Sequence, residues 1–362
     1  MPKSALVVGG TGPTGPYIVK GLLERGYRVA ILHRGLHEIS EIPPEVEHIH
    51  TDPYARDGVE ASLAGRRFDV AIVAYGRLRM LAEVLVSRVD RFVSIGGAPA
   101  YCGYMDPEAR SPAGMRVPVR ESATLVARAE ESRKGFAIVR SEEAVFEFHP
   151  RATHFRYPYV YGPRQLVPRE WCIVRRILDD RPFIIVPDAG LTLCCFGFVA
   201  NLAHAILLAV DQPGPSAGQI YNAGDEQVLS LRQVVETVGE ALAWKGEVIS
   251  LPWQLARPAR PMIMQPMTTH RVLDVGKLRS ELGYRDLVEP AAGLAETAHW
   301  LVANPPKPDG QEARVLQDPF DYAAEDRLVA SWREALAGLP DPDFAVEPGF
   351  TLSYDNPRVD PA

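Results

Sequence analysis

The stretch Val8-Gly9-Gly10-Thr11-Gly12-Pro13-Thr14-Gly15 decides the fold of this chain. It joins an apolar segment, residues 5–8, to an amphipathic segment, residues 15–25, so it is expected to connect a strand to a helix. Gly9, Gly12 and Gly15 allow the backbone to turn tightly and to approach a ligand closely. Amide groups at the N-terminus of a helix attract phosphate. The stretch therefore predicts a pyrophosphate-binding turn, and with it dinucleotide binding.

Strand and helix patterns alternate through the first half of the chain. Strands are predicted at residues 4–8, 27–32, 46–50, 68–74, 91–95 and 154–159, with helices between them. The first, fourth and fifth are mostly apolar, which is typical of strands covered by helices on both faces. The pattern predicts an α/β fold with a doubly wound parallel sheet. We expect a dinucleotide-binding domain at 1–165 with returns near 190–225, an interleaved substrate lobe at 166–302, and a tail at 303–362 with one helix.

The composition is that of an ordinary globular protein, with 362 residues, 46% hydrophobic and 23% charged, and a net charge of −7. The acidic balance disfavours nucleic acid as a partner. Neither a signal segment nor an apolar run long enough to span a membrane is evident, so we expect a cytoplasmic protein with a small-molecule substrate. The four cysteines lack C-x-x-C spacing and are expected to be free thiols.

The end of the second strand is expected to select between NAD and NADP. A carboxylate there binds the ribose 2′-hydroxyl, whereas a basic residue accommodates a 2′-phosphate. The strand ends Leu32-His33-Arg34-Gly35, and no carboxylate lies between Glu24 and Glu38. Arg34 can bind phosphate through two N–H groups, which favours NADP; alternatively it stacks on adenine or faces solvent. The residues expected to bind the cofactor are Gly9, Thr11, Gly12, Pro13, Thr14, Gly15, His33, Arg34, Asp52, Ala74, Tyr75, Gly76, Ser94, Gly96, Tyr157 and Pro158.

His48 and His50 lie two residues apart and therefore share one face of a predicted strand. A metal site there would need a third strong ligand. The sequence does not identify one, so no metal is predicted.

Further signatures follow the glycine turn in sequence order. They are Tyr159-Val160-Tyr161-Gly162-Pro163-Arg164, Tyr221-Asn222-Ala223-Gly224, and Asp274-Val275-Gly276-Lys277-Leu278 followed by Leu282-Gly283-Tyr284 and Trp300. Over about residues 4–302 the chain resembles the extended, epimerase/dehydratase-like branch of the short-chain dehydrogenase/reductase superfamily. The resemblance implies a Rossmann fold, a nicotinamide cofactor, and a homodimer formed through the helices near 78–88 and 135–148.

The chain departs from that branch at its catalytic residues. The resemblance implies a Tyr-x-x-x-Lys pair and a Ser or Thr after the fifth strand, but none of the 13 tyrosines is followed by lysine four residues later. The Tyr position falls on residues 134–135 and the Lys position on residues 138–139, while the Ser position falls on residues 96–97. The chain is therefore an atypical member of the pattern.

Three residues are candidates for the missing catalytic set: Tyr101, Lys134 and Ser94. A phenol needs a nearby cation to titrate usefully near neutral pH, and Lys134 or Arg140 is expected to supply it for Tyr101. Tyr161, Arg164 and Trp171 are expected to contact the substrate, and Arg169, Arg175 and Arg176 are additional cations in that region.

Three functions remain open at this point. The first is an NADP-preferring oxidoreductase acting on a carbonyl, hydroxyl or enone of a medium-sized metabolite. The second is an epimerase or dehydratase with tightly bound NAD(P) and a sugar-like substrate. The third is a non-catalytic nucleotide-binding sensor.

Overall fold

The computed structural model describes residues 2–36, 38–74, 76–265 and 267–350. Its eleven described strands are β1 Ser4–Val8, β2 Arg28–His33, β3 Glu47–His50, β4 Phe68–Val73, β5 Val89–Gly97, β6 Thr153–Tyr157, β7 Tyr159–Tyr161, β8 Phe183–Pro187, β9 Phe196–Phe198, β10 Gln219–Asn222 and β11 Glu247–Leu251. The described α-helices are α1 Gly15–Glu24, α2 Arg56–Ser62, α3 Leu78–Leu85, α4 Arg133–Phe148, α5 Trp171–Leu178, α6 Val199–Asp211, α7 Leu231–Ala241, α8 Arg260–Ile263, α9 Gly276–Leu282, α10 Pro290–Ala303, α11 Gln311–Leu316 and α12 Tyr322–Ala337.

A seven-stranded sheet in the order β10-β6-β5-β4-β1-β2-β3 forms the centre of the fold. All of its pairings are parallel. The order reverses between β1 and β4, and ligands of open α/β sheets bind at such a reversal, outside the carboxyl ends of the strands. The predicted doubly wound parallel sheet is confirmed.

Both faces of the sheet are covered, as the apolar strands predicted. Ala5 and Val7 of β1 pack with α1 and α6, whereas Leu6 and Val8 pack with α2, α3 and α4 on the opposite face. Successive side chains of a strand point to opposite faces, so a strand between two helical layers must be apolar at every position.

Two short parallel pairs, β7 with β9 and β8 with β11, lie outside the main sheet. The chain forms two compact units, Met1–Phe320 and Asp321–Ala362. The second unit contains α12, and α11 is an additional helix within the predicted one-helix tail. Among the described helices, none is long and apolar enough to cross a membrane.

Close contact between α1 and the turn before it depends on Gly15. A Cβ at this position would lie 2.2 Å from the Gly10 carbonyl oxygen, which is backbone and cannot rotate away. The first turn of α1 can approach the end of β1 only because Gly15 has no side chain.

We expect Gly15→Ala to lower the free energy of unfolding by about 1–3 kcal/mol, the usual cost of overpacking. Urea unfolding measures this change. The matched control is Gly214→Ala, because a Cβ at Gly214 meets no atom within 4 Å. Equal stabilities for the two variants would contradict the close approach.

Candidate functional site

The glycine turn lies at the carboxyl end of β1. Gly9 has a φ of +92°, and its N–H donates to the Leu32 carbonyl at 3.3 Å. A Cβ at Gly12 would meet only the Gly9 oxygen, at 3.3 Å, so the space in front of Gly12 is otherwise open. The first turn of α1 contains no acidic side chain. An open backbone surface at a helix N-terminus without negative charge suits a pyrophosphate, so the residues present fit a dinucleotide.

The ends of the neighbouring strands meet this turn. Ala74 donates its N–H to the Val8 carbonyl at 3.0 Å, which holds the end of β4 beside the turn. Gly76 follows with a φ of +96°. Asp52 is exposed after β3, and its carboxylate accepts from the Tyr54 N–H at 3.1 Å. Of the predicted cofactor residues, Tyr75 lies outside the described residues.

The end of β6 reaches the same edge of the sheet. Tyr157 pairs with Gly97 of β5, and its hydroxyl donates to the Leu202 carbonyl at 3.3 Å. Burial raises the pKa of Tyr157, although a hydrogen bond with the buried Thr14 lowers it. Pro158 then leads from β6 into β7.

The end of β2 holds more than the sequence predicted. His33 is buried, and its Nε2 lies 3.0 Å from Nδ1 of His48 on β3. Glu38 lies 3.1 Å from Nε2 of His50. The sequence did not identify a third ligand for His48 and His50, and the structure places His33 and Glu38 beside them. Arg34 is exposed at the same strand end.

The surface that carries Tyr-x-x-x-Lys in the resembled branch is apolar here. Ile138 of α4 faces the end of β5, because a Cβ at Gly96 would lie 3.7 Å from the Ile138 side chain. A Cβ at Gly96 would also lie 2.5 Å from Nε2 of His154, so a serine at this position would collide with the imidazole. Lys134 is exposed near the start of α4.

Ser94 is fully buried on β5, and its Oγ lies 2.8 Å from Nδ1 of the equally buried His154. Burial lowers the pKa of His154 to about 4, so this imidazole is neutral at physiological pH. Glu142 lies 3.3 Å from Nε2 of His154. The Ser94 hydroxyl is thus held by His154 within the sheet layer.

Tyr101 follows β5 and meets a cation that the sequence analysis did not identify. Arg156 of β6 donates from Nη1 to the Tyr101 hydroxyl at 2.8 Å, and this hydroxyl donates to Oδ1 of Asn222 at 2.6 Å. Glu142 of α4 accepts from Nε of Arg156 at 2.9 Å. Burial raises the pKa of Tyr101, while Arg156 opposes that rise. The cation beside Tyr101 is therefore Arg156, and not Lys134 or Arg140 as the sequence analysis predicted. The contact between Arg156 and Tyr101 is visible only in the folded chain.

A cavity of about 450 Å³ opens beside Tyr101. Its wall includes the loop from Arg110 to Arg116, together with Cys102, Val119 and Thr124. The cavity is large enough for a medium-sized metabolite. The segment between β5 and α4 therefore forms a wall of an open space next to the candidate acid.

Two buried arginines, Arg169 and Arg271, lie between aromatic rings near β7. The Arg169 guanidinium is 4.1 Å from the ring centroids of both Tyr159 and Phe196, and Arg271 donates to the Tyr159 hydroxyl at 3.0 Å. Among the described residues, Nε and Nη2 of both arginines have no hydrogen-bond partner. Glu170 lies 3.8 Å from Nη2 of Arg169. Buried guanidinium N–H groups without an acceptor are donors that an anion or an ordered water can satisfy.

The predicted substrate residues do not converge on these two arginines. Tyr161 is buried and donates to Asp225 at 2.8 Å, and Arg164 pairs with Glu41. Trp171 is largely buried at the start of α5. Burial raises the pKa of Asp225 to about 6, although Asn201, Phe198 and Tyr161 all donate to its carboxylate.

The remaining two predicted cations are occupied elsewhere. Arg176 pairs with Asp318 at 2.7 Å, and Arg175 lies 3.4 Å from Asp179. Arg169 is therefore the predicted cation whose buried N–H groups lack an acceptor among the described residues, and Arg271 is the partner that the sequence analysis missed. Arg271 lies 102 positions after Arg169, and no sequence pattern connects the two residues.

Comparison with known proteins gives distant relatives. No protein-family model matches the chain. Chloroplast stem-loop binding protein of 41 kDa b from Arabidopsis thaliana is 24% identical, over 66% of this chain and 63% of the relative. Subunit 9 of the NADH dehydrogenase 1 alpha subcomplex from Arabidopsis thaliana mitochondria is 24% identical, over 70% of this chain and 61% of the relative. The chain thus spans less than two thirds of either relative.

Solved structures match over more of the fold. UDP-glucose 4-epimerase from Thermotoga maritima has a TM-score of 0.67 at 18% identity, covering 83% of this chain and 99% of the epimerase. UDP-glucuronic acid 4-epimerase from Bacillus cereus, in complex with UDP-glucuronic acid and NAD, has a TM-score of 0.65 at 17% identity, with 83% and 99% covered. The chain has the fold of the extended short-chain dehydrogenase/reductases, as its sequence signatures indicated.

Proposed function

We propose that this protein is an NAD(P)-dependent enzyme of the epimerase, dehydratase or reductase type that acts on an anionic metabolite. The observation that carries the proposal is the glycine turn, whose open face at Gly12 lies at the N-terminus of α1 and at the strand-order reversal of the sheet. A bound nicotinamide would supply hydride chemistry. The chain's own residues bind and orient the cofactor and substrate and handle the proton.

The substrate class follows from Arg169 and Arg271. Their buried, unpartnered N–H groups are suited to a phosphate or carboxylate, which guanidinium groups bind strongly. The solved structures of similar fold include enzymes named for UDP-glucose and UDP-glucuronic acid, both of which carry a diphosphate. We therefore favour a phosphorylated, sugar-like substrate over the neutral carbonyl compound that the sequence also allowed.

Tyr101 is the proposed proton donor. Burial raises its pKa, which keeps the phenol protonated at neutral pH, and Arg156 would stabilise the phenolate left after proton transfer. Tyr101 also lines the cavity of about 450 Å³. Ser94 is buried against His154, so we propose a positioning role for it. Lys134 is exposed, so we place it at the rim of the site.

We propose NADP as the preferred cofactor. Arg34 is exposed at the end of β2, where a 2′-phosphate would lie. Glu38 is also brought to this strand end, but its carboxylate faces His48 and His50 at 3.9 and 3.1 Å. This carboxylate is therefore directed toward the histidines and not toward a ribose 2′-hydroxyl, the group that a carboxylate binds in NAD-selective sites. We also propose a homodimer formed through α3 and α4, which pack against each other within the chain.

A non-catalytic nucleotide-binding role is the second candidate. It is favoured by the position of the usual catalytic lysine, which falls on residues 138–139, where the chain has Ile138 and Val139. One curated relative is named as a stem-loop binding protein and the other as a subunit of NADH dehydrogenase. The net charge of −7 disfavours RNA binding for this chain, so the candidate is a dinucleotide sensor.

Gly12→Ala tests the cofactor site. The added Cβ contacts only the Gly9 oxygen, at 3.3 Å, so we expect the variant to remain folded and to lose at least about tenfold in NADPH affinity, about 1.4 kcal/mol. Isothermal titration calorimetry gives the affinity, and Gly214→Ala is the control. Unchanged NADPH binding in Gly12→Ala would exclude the turn as the pyrophosphate site.

Arg34→Ala tests the cofactor preference. We expect its affinity for NADPH to fall about tenfold while NADH binding changes little, because only NADPH carries the 2′-phosphate. The matched control is Arg28→Ala, which removes an exposed arginine from the opposite end of the same strand. Equal losses for both nucleotides would refute the phosphate contact.

Tyr101→Phe tests catalysis. UDP-glucose, UDP-glucuronic acid and dTDP-glucose are first screened by nicotinamide absorbance and by chromatography of the sugar nucleotide. With any substrate that turns over, we expect kcat to fall about 10²- to 10⁴-fold with unchanged NADPH affinity. Tyr284→Phe is the control, since its hydroxyl binds Asp286 at 2.8 Å, away from the cavity. A full kcat in Tyr101→Phe would eliminate this proton donor, and no turnover despite tight NADPH binding would favour the sensor.

A further inference from the structure

Three histidines and one glutamate converge at the end of β2 and β3. His33 pairs with His50 across the two parallel strands, and Ile31 pairs with His48, so the three imidazoles share one face of the sheet. Their ring centroids lie 4.9 to 5.9 Å apart. Glu38 joins them from the connection between the strands.

The turn after β2 explains how Glu38 returns to this face. Gly35 has a φ of +74°, a conformation that residues with a side chain rarely adopt. A Cβ there would lie 3.4 Å from the His50 ring. The chain therefore passes close over the imidazoles immediately after β2 and comes back to them at Glu38.

The donor atoms have the spacing of a metal site. Nε2 of His33 lies 3.0 Å from Nδ1 of His48, and Oε1 of Glu38 lies 3.1 Å from Nε2 of His50 and 3.9 Å from Nδ1 of His48. One donor atom from each of the four residues lies within 4.8 Å of all the others. Ligands bound tetrahedrally at about 2.0–2.1 Å are separated by roughly 3.3–3.4 Å. Small side-chain adjustments would complete that geometry.

The chemistry of the donors narrows the ion. Imidazole nitrogens suit zinc, copper, nickel and cobalt, whereas magnesium and calcium prefer oxygen ligands. Three imidazoles and one carboxylate leave a divalent ion with a net charge of +1. We infer that His33, His48, His50 and Glu38 form a binding site for a divalent transition metal of the zinc class.

Metal binding requires one proton rearrangement at His33. Nδ1 of His33 accepts from the Gly35 N–H at 3.2 Å, so Nε2 carries the proton of the neutral ring and donates to His48. Coordination through Nε2 moves that proton to Nδ1, which ends the hydrogen bond from the Gly35 N–H.

Cobalt(II) is the probe, because its visible absorption distinguishes tetrahedral from octahedral coordination. The full chain is first treated with a chelator and then titrated with Co²⁺. We expect one equivalent to bind with tetrahedral bands, and Zn²⁺ to displace it. His50→Gln and His48→Gln should each weaken Co²⁺ binding at least about tenfold.

The controls separate this site from the other histidines of the chain. His299→Gln removes an exposed histidine from α10 and should leave the cobalt spectrum and affinity unchanged. The His50 side chain is 53% exposed, so His50→Gln is expected to fold normally, which circular dichroism verifies. Octahedral bands, or an affinity unaffected by either cluster variant, would overturn the inference. The result is independent of NADPH binding and thus of the proposed function.

Discussion

The buried ion pair between Arg156 and Glu142 organises the end of this fold that holds the candidate site. Glu142 accepts from Nε and Nη2 of Arg156 at 2.9 and 2.6 Å, which ties α4 to β6 through two parallel hydrogen bonds. Breaking a buried pair by removing one partner typically costs 3–5 kcal/mol, because the other charge remains buried. The same guanidinium fixes Tyr101, and the same carboxylate faces His154. The loss of the usual tyrosine and lysine thus accompanies a different buried network at the same helix.

Local pattern was sufficient for the parallel sheet and the glycine turn. An apolar strand, three spaced glycines and an amphipathic helix are adjacent in sequence, and their geometry follows from local backbone preferences. The candidate site contains longer-range contacts. Glu142 and Arg156 are 14 residues apart, and Arg169 and Arg271 are 102 apart. Tertiary packing decides whether a buried arginine has a carboxylate partner or lacks an acceptor. Hydrophobic periodicity does not encode that packing.

The β2–β3 edge shows the same limit in a smaller space. His48 and His50 were recognised as a pair because strand alternation places them on one face. The sequence predicts a cofactor role for His33 and does not connect Glu38 with the pair, because spacing alone does not show the turn at Gly35 that returns Glu38 to the histidines. The register of β2 against β3 pairs His33 with His50, which places His33 beside the other two histidines. One strand end therefore holds both Arg34, proposed to contact the cofactor, and the proposed metal ligands.

The choice between an enzyme and a dinucleotide sensor depends on whether the protein has a group that can give a proton to a substrate. In the pattern that the chain resembles, the catalytic lysine falls on residues 138–139 and the serine on residues 96–97; Ile138 and Val139 supply no amine there, and Gly96 and Gly97 supply no hydroxyl. Neither change removes hydride chemistry, which a bound cofactor supplies. We place the proposed proton source at Tyr101, whose hydroxyl accepts from Arg156 at 2.8 Å and which is one of the residues that line the cavity. This arrangement supports the proposal of an enzyme whose acid lies at the end of β5 and not on α4.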